Sequence, residues 1–297
     1  MKKFFLCAMA AAATLSLTSC LSEEEVNLEK GNMGRISLNI SADNSLVTRA
    51  DNATFDDISA WYVVVNKDSE SEALYNGQVG TTLATTDFPF GSDYTISARS
   101  HNTKDVAMPN NGLGEAYYEG GQCNADGSSL SYATINAGST PTIVYVSCGK
   151  AKNARLAIVD AGFAGTITAI SIDSHLTADL ESNQKNRTMT YPLAKEVEEN
   201  QTTVNKLYTT AEIANATKAY FHANEEITVK FSYTIGNNTK TDIPVNFTMG
   251  NEGTTNTLSI TSDEDGNIAL TIKYDDTWDS GTEQTITISA ETGEELL

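Results

Sequence analysis

The side chains best suited to catalysis or metal binding form no recognisable active-site pattern in this sequence. Its three histidines, His101, His175 and His222, have no partner at metal-ligand spacing, and no His-Glu-x-x-His sequence occurs. The sequence also lacks the Gly-x-Ser-x-Gly turn of hydrolases, a Walker loop and a dinucleotide fingerprint. With 39 acidic residues, chance carboxylate pairs are expected, so such pairs alone do not identify a glycosidase. We therefore predict a non-enzymatic protein without a cofactor.

One acidic loop has some features of a calcium site. The run Asp263-Glu264-Asp265-Gly266-Asn267 offers oxygen donors at alternate positions together with a glycine. The twelfth position counted from Asp263 is Tyr274, where a calcium loop of this type has a bidentate glutamate. We therefore predict a hairpin turn here and no metal site.

The N-terminus predicts export and lipid anchoring. Residues 1–19 have the basic start, short apolar run and small residues of a secretory signal. The segment ending Leu17-Thr18-Ser19-Cys20 resembles a bacterial lipobox, which implies diacylation of Cys20 and removal of residues 1–19. Residues 20–33 form a flexible acidic tether, which is either simply solvated or a label of the kind that directs Bacteroidales lipoproteins to the outer leaflet. The predicted location is the outer membrane, with the protein lipid-anchored and exposed at the cell surface.

Two further cysteines, Cys123 and Cys148, remain in the mature chain. Disulfides persist in an exported compartment, so a bridge between them is allowed. Cys148 ends an alternating strand and is equally well explained as a buried thiol. The sequence leaves both interpretations open.

Aromatic residues offer the one indication of ligand binding. Adjacent rings on a strand point to opposite faces, so in Trp61-Tyr62 and Tyr117-Tyr118 one ring of each pair is expected in the core. Trp61 and Tyr118 are the candidate contacts to a glycan, with core packing as the simpler explanation.

Composition and charge exclude several classes of protein. The chain has 297 residues, 40% of them hydrophobic and only 5 of them proline, so a folded protein of two domains is expected. The formal net charge of −20 predicts repulsion from phosphate backbones, and we expect no nucleic-acid partner.

Alternation of apolar and polar residues with period two dominates the sequence from Arg35 onward. Strands of this kind, separated by turn residues, predict an all-β fold of two antiparallel β-sandwich domains in tandem. A small, basic stretch near Gly149 separates the N-terminal domain, 34–149, from the C-terminal domain, 150–297. The polar stretch 174–210 is predicted to be an exposed insertion with a short edge strand at 188–193, and 211–219 is predicted to form one or two helical turns.

The N-terminal half resembles the fimbrillin-like, type V pilin-related surface lipoproteins of the Bacteroidales and their domain-of-unknown-function relatives. The resemblance rests on the lipobox and on five later segments, namely 34–40, 47–50, 94–98, 116–120 and 144–153. It implies two transthyretin-like, fimbrillin-like β-sandwich domains. In the pilin branch it also implies cleavage after an arginine, here between Arg49 and Ala50, and displacement of the first strand, here 34–41. The final strand, 283–290, would be a candidate donor strand, although 48–50 is equally explained as a plain loop.

These observations lead to two functional hypotheses. The first is a lipid-anchored surface protein of fimbrillin-like type, acting in adhesion or as a pilus-associated subunit or anchor. Its partners would be other pilus subunits, joined by strand addition, or surface glycans. The alternative is a glycan-binding surface lipoprotein of a polysaccharide-uptake system, which requires exposed rings.

Overall fold

A computed structural model describes residues 32–42, 58–108, 113–175, 187–193, 195–199, 201–209, 211–212, 218–265, 267–275, 283–289 and 294–296. The fold is nearly all β, with 57% strand and 6% helix, which confirms the predicted fold class. The described chain forms two compact units. Unit 1 takes its residues from 32–42, 58–102 and 118–150, and unit 2 from 103–117 and 151–296.

Unit 1 is built on a seven-stranded sheet with the order β2-β9-β7-β6-β3-β4, in which β8 pairs with β6. A separate two-stranded sheet joins β1 to β5. A π-helical turn, Val79–Leu83, follows β4. The strands of unit 1 are β1 (Met33–Gly34), β2 (Ile36–Ser41), β3 (Tyr62–Lys67), β4 (Tyr75–Gln78), β5 (Phe88–Pro89), β6 (Gly91–Arg99), β7 (Glu119–Cys123), β8 (Ala133–Ile135) and β9 (Thr142–Ser147).

Period-two patterning places one side of each of these strands in the unit 1 core. Val63 and Val65 of β3 are fully buried, and so are Tyr94 and Ile96 of β6, while the residues between them are more exposed. This alternation is what a sheet with one buried face requires.

The Gln122 side chain lies where the ladder between β7 and β6 ends, and it hydrogen-bonds to backbone groups that β7 does not reach. Its Oε1 accepts a hydrogen bond from the backbone N–H of Ile96. Its Nε2 donates to the carbonyl oxygens of Ser131 at 2.7 Å and Tyr94 at 3.3 Å. The amide thus replaces the ladder bonds that β7 no longer makes, and the sheet continues onto β8 without unsatisfied backbone groups at this point.

Unit 2 contains a six-stranded sheet with the order β15-β10-β18-β19-β20-β21 and a four-stranded sheet with the order β12-β11-β16-β17. The hairpin of β13 and β14 forms a two-stranded sheet of its own. The elements of unit 2 are α1 (Lys104–Ala107), β10 (Ala154–Asp160), β11 (Thr166–Ser174), β12 (Thr188–Thr190), β13 (Lys195–Glu199), β14 (Thr202–Lys206), β15 (Lys218–Phe221), β16 (Glu226–Ile235), β17 (Asn238–Thr248), β18 (Thr255–Ser262), β19 (Ile268–Asp275), β20 (Glu283–Ile288) and β21 (Glu295–Leu296).

The two larger sheets of unit 2 share one hydrophobic core. Leu156 and Leu258 from the six-stranded sheet pack in the same cluster as Ile172 and Phe231 from the four-stranded sheet. This arrangement is a β-sandwich. Most ladders are antiparallel, as predicted, but two are parallel: β10 with β18 in unit 2 and β2 with β9 in unit 1.

A segment between β6 and β7 belongs to unit 2, which the sequence did not indicate. Asn153, which directly precedes β10, is fully buried. Its side-chain amide fixes this segment by making the hydrogen bonds that the backbone of a neighbouring strand would otherwise make. Its Oδ1 accepts from the Tyr117 N–H at 3.1 Å, and its Nδ2 donates to the Glu115 carbonyl at 2.8 Å. The expected domains 34–149 and 150–297 remain a prediction, and the compact units differ from them in residues 103–117.

The described residues of the predicted insertion, 174–210, include both exposed and buried side chains. A short strand, β12, does form at 188–190, and β13 and β14 form an exposed hairpin. However, Arg187, Tyr191 and Leu207 are buried. Of the predicted helical turns at 211–219, residues 213–217 lie outside the described residues, and β15 begins at Lys218.

Candidate functional site

The structure places His101 in unit 1 and His175 and His222 in unit 2. His175 Nε2 lies 2.8 Å from the Thr228 hydroxyl in unit 2, whereas His101 Nδ1 lies 3.0 Å from the Ser100 hydroxyl in unit 1. Across the described residues, no three His, Cys, Asp or Glu side chains are grouped so that they could hold a metal ion. The rings of His175 and His101 are therefore explained by local hydrogen bonding.

The acidic loop at 263–267 is the hairpin turn between β18 and β19. The Asp263 carboxylate accepts hydrogen bonds from the backbone N–H groups of Asp265 at 3.0 Å and Asn267 at 2.8 Å. These are the bonds of an Asx turn, so the carboxylate has a structural role in the loop.

The two candidate glycan contacts are buried, which agrees with the simpler explanation of core packing and not with an exposed platform. Trp61 and Tyr118 are 4% and 3% exposed. Their rings stack with centroids 6.5 Å apart and an interplanar angle of 14°. Alternation predicted one buried ring in each pair, but Tyr117 is also buried, in unit 2. Both tyrosines precede β7, which begins at Glu119, so strand alternation does not apply to them.

The disulfide that the sequence allowed is incompatible with the strand register. Cys123 on β7 pairs with Tyr145 on β9, and the antiparallel ladder then runs through Gly121 and Ser147. Cys148 therefore lies three positions along β9 from the partner of Cys123, a distance of about 10 Å. A disulfide needs Cα atoms within about 7 Å. Both thiols are buried, and burial raises the pKa of the Cys123 thiol, as does the nearby Asp126 carboxylate.

Three of the predicted functional residues cannot be placed. Cys20, the predicted lipidation site, and Arg49 and Ala50, the predicted protease site, lie outside the described residues. They remain predictions from the sequence. No helix in the described parts of the chain is long and apolar enough to cross a membrane.

A buried ion pair in unit 2 is a notable electrostatic feature that the sequence did not reveal. The side chains of Arg187 and Glu225 are both 0% exposed, with Nη2 and Oε1 3.8 Å apart. Glu225 also accepts hydrogen bonds from the Ser174 hydroxyl and from the His222 N–H. Burial raises the pKa of the Glu225 carboxyl, which the Ser174 hydrogen bond and Arg187 only partly oppose. Because both side chains are enclosed, their role is structural.

The first long strand, β2, is the feature best placed for function. Of the strands in the described ranges, it pairs with β9 alone, in parallel, and so forms one edge of the unit 1 sheet. Arg35 and Ser41 accept hydrogen bonds from Thr142 and Cys148 at 2.7 and 2.9 Å. In a parallel ladder these bonds place the N–H and C=O groups of the odd-numbered residues toward β9 and those of the even-numbered residues away from it.

Side chains anchor β2 in the unit 1 core. Ile36 is 2% exposed, and Leu38 and Ile40 are half-buried on the same side as Val144 and Val146 of β9. Ser37 and Ser41 are exposed on the opposite side. The strand is therefore held by one ladder and one row of three apolar side chains.

Directly before β2, where the chain leaves the two-stranded sheet of β1 and β5, its backbone passes very close to Asn136. A Cβ on Gly34 would lie 2.0 Å from the Asn136 carbonyl oxygen, so only glycine fits. The next residue, Arg35, pairs with Asp87 at 2.8 Å. These contacts fix the position at which β2 begins. Sequence patterning identified the strand but not the residues that lie beside it.

No family model matches the chain, and no curated protein matches it. Among solved structures, a fimbrial protein from Bacteroides vulgatus is 10% identical, with a TM-score of 0.43, over 82% of this chain and 99% of its own. A fimbrial assembly protein from Parabacteroides distasonis is 11% identical, with a TM-score of 0.40, over 83% and 98%. A pilus adhesin from Lactobacillus rhamnosus GG is 12% identical, with a TM-score of 0.25, over 88% and 28%. At such identities, function has to be argued from this chain's own geometry.

Proposed function

We propose that the protein is a lipid-anchored, non-enzymatic surface protein that acts in adhesion or as a pilus-associated subunit, and that it joins partners by strand exchange at β2. The observation that supports this is the position of β2. In the described part of the chain it is an edge strand with a single neighbouring strand, yet its apolar side chains fill part of the core.

Departure of β2 would create a binding groove. The N–H and C=O groups of Thr142, Val144 and Val146 point toward β2 and would lose their partners. The apolar side chains on the same strand would lose the cover of Ile36, Leu38 and Ile40. An incoming strand with the same alternation would restore both, which is the chemistry of strand addition.

The sequence resemblance suggests how β2 could be released, namely by cleavage of the chain after it. Cleavage after Arg49 would separate residues 1–49, and with them Cys20 and β2, from the rest of the chain. The fragment would then be held by non-covalent contacts alone, among them the ladder and core contacts of β2, the pairing of β1 with β5 and the Arg35–Asp87 ion pair. The glycan-binding alternative loses support, because its two candidate contact residues are buried.

The first prediction concerns the N-terminus of the mature protein. We expect protein purified from its own outer membrane to begin either at diacylated Cys20 or at Ala50, as measured by intact mass and N-terminal sequencing. Lipidated Cys20 would identify an anchored protein or pilus base, and Ala50 would identify a subunit that polymerises. An unmodified Cys20 would contradict the lipid anchor, and a start at neither residue would contradict both parts of the proposal.

The second prediction concerns the rate at which cleaved β2 is replaced in the groove by a peptide. After arginine-specific cleavage, Leu38→Ala should accelerate uptake of a labelled peptide with the sequence of residues 34–41 by about tenfold or more, because it removes part of an apolar anchor. Fluorescence anisotropy of the peptide would measure the rate.

Ser37→Ala is the matched control, because Ser37 lies on the same strand with its side chain exposed. Its uptake rate should equal that of the unchanged protein. Equal rates for Leu38→Ala and Ser37→Ala would contradict exchange at β2. Uptake without prior cleavage would contradict the release step.

A further inference from the structure

Among the described residues, no strand pairs with the outer edge of β2 while the strand is in place. The N–H and C=O groups of Ile36, Leu38 and Ile40 point away from β9, because the odd-numbered residues supply the β9 ladder. Within the described ranges, no backbone group bonds to them. This edge therefore offers three donors and three acceptors in a row.

Other edges in the described structure carry features that discourage pairing. The long edge strand β17 contains Pro244, a register shift opposite Phe231–Tyr233, and Asp242 with a φ of 53°. The β13–β14 hairpin carries three exposed glutamates. The edge strands β4, β12 and β21 have only four, three and two residues. By contrast, β2 has six residues with no charge, proline or bulge.

The sequence of β2 is symmetric about Leu38. It reads Ile-Ser-Leu-Asn-Ile from Ile36 to Ile40, with one apolar residue on each side of the centre. If two copies meet antiparallel with Leu38 opposite Leu38, Ile36 of each copy lies opposite Ile40 of the other. The outward N–H and C=O groups then all fall in hydrogen-bonded pairs, giving about six hydrogen bonds.

We infer that a second copy of this chain is the partner of this edge, so that the uncleaved protein forms a symmetric dimer through antiparallel pairing of β2. The apolar side chains of both copies stay on one face of the joined sheet. Ser37 of each copy lies opposite Asn39 of the other on the opposite face, in non-hydrogen-bonded pairs. The pairing leaves β2 in its own unit and does not depend on the strand exchange proposed above.

Charge determines the conditions under which the dimer forms. Each chain carries a formal net charge of −20, so two copies repel each other at long range. The strand itself carries no charge, and Arg35, which directly precedes it, is paired with Asp87. Salt screens the long-range repulsion but not the hydrogen bonds, so dimerisation should strengthen as salt rises. An association driven by opposite charges would weaken instead.

Charge substitutions on the paired positions test the register. In Ser37→Lys/Asn39→Lys, like charges face each other across the two strands, and we expect dimerisation of the uncleaved chain to weaken at least about tenfold. In Ser37→Lys/Asn39→Glu, opposite charges face each other, and dimerisation should return. Sedimentation velocity over a range of protein and salt concentrations gives the dissociation constants.

Thr239→Lys/Thr241→Lys is the matched control, because it adds the same charge at exposed alternate positions of the β17 edge. Its dimerisation should match that of the unchanged protein once the lower net charge is allowed for. A monomer at about 100 μM protein in high salt, where screening is nearly complete, would overturn the inference. Equal dimerisation by all three variants would overturn the β2 register.

Cross-linking gives an independent result. Facing positions in a non-hydrogen-bonded pair are close enough for a disulfide. Ser37→Cys/Asn39→Cys should therefore yield a covalent dimer on mild oxidation. Ser37→Cys/Ser41→Cys introduces two cysteines that do not face each other and should yield little. Equal yields from the two variants would contradict the antiparallel register centred on Leu38.

Discussion

Replacing Glu225 with alanine is expected to lower the free energy of unfolding by about 3–5 kcal/mol, as removal of one member of a buried ion pair typically does. The change leaves the Arg187 guanidinium enclosed without its carboxylate. It also removes the acceptor for the Ser174 hydroxyl and the His222 N–H. Equilibrium urea unfolding followed by circular dichroism would measure the loss.

Glu226→Ala provides the control for this prediction. Glu226 is the next residue in the chain, carries the same side chain and is exposed. Its replacement should change the free energy of unfolding by no more than about 0.5 kcal/mol. A similarly small change in the free energy of unfolding for Glu225→Ala would mean that the buried ion pair does not stabilise unit 2.

The pH dependence of stability gives a separate signature of Glu225. Burial raises the pKa of this carboxyl, so the folded state binds its proton more tightly than the unfolded state does. The contribution of Glu225 to stability is therefore full below its ordinary pKa of 4.5 and is lost as pH rises through the raised pKa. Relative to Glu225→Gln, which cannot titrate, the unchanged protein should lose stability over that range. Parallel pH profiles would contradict the raised pKa.

Replacing Gly120 with alanine is expected to cost about 3 kcal/mol or more, at the upper end of the cost of overpacking. A Cβ at this position would lie 2.0 Å from the Ser147 carbonyl oxygen and 2.5 Å from the Cys148 Cα. Both are backbone atoms at the end of the neighbouring strand β9, so β7 and β9 would have to separate. Thermal or urea unfolding of the variant would measure the effect.

The adjacent Gly121 is the natural control. A Cβ there would meet only the Ile96 carbonyl oxygen, at 4.0 Å, which is ordinary contact. Gly121→Ala should therefore be tolerated. Gly120→Ala should also loosen β2, because β2 pairs with β9 in the sheet. Equal stability of the two variants would contradict the close approach of β7 to β9.

The two proposals about β2 concern different states of the same strand. In the uncleaved protein the strand is part of unit 1, and its outer edge is available to a second copy. After cleavage, the strand itself becomes replaceable, and its inner edge and apolar side define the groove. Substitutions at Leu38 test the second state, whereas charges at Ser37 and Asn39 test the first. The failure of one proposal therefore leaves the other open to its own test.

Local features of the sequence were sufficient to predict most of the strands. Alternation with period two predicted strands at 35–41, 93–98, 142–148 and 227–235, close to the observed bounds of β2, β6, β9 and β16. Burial of one face of a sheet imposes this pattern on consecutive residues. The hairpin at 263–267 was also predictable, since Asp263 closes it through bonds to residues two and four positions away. The same patterning identified the buried side of β2.

Contacts between distant parts of the chain were decided only by the tertiary structure. Alternation indicates which side of a strand is buried but not which strand lies beside it, so neither the edge position of β2 nor its parallel pairing with β9 could be read from the sequence. For the same reason, the sequence could not exclude the disulfide between Cys123 and Cys148, place Trp61 and Tyr118 in one buried stack, or distinguish Gly120 from Gly121. Each of these depends on the register and packing of strands far apart in the chain, which are set by the core as a whole rather than by any local run of residues.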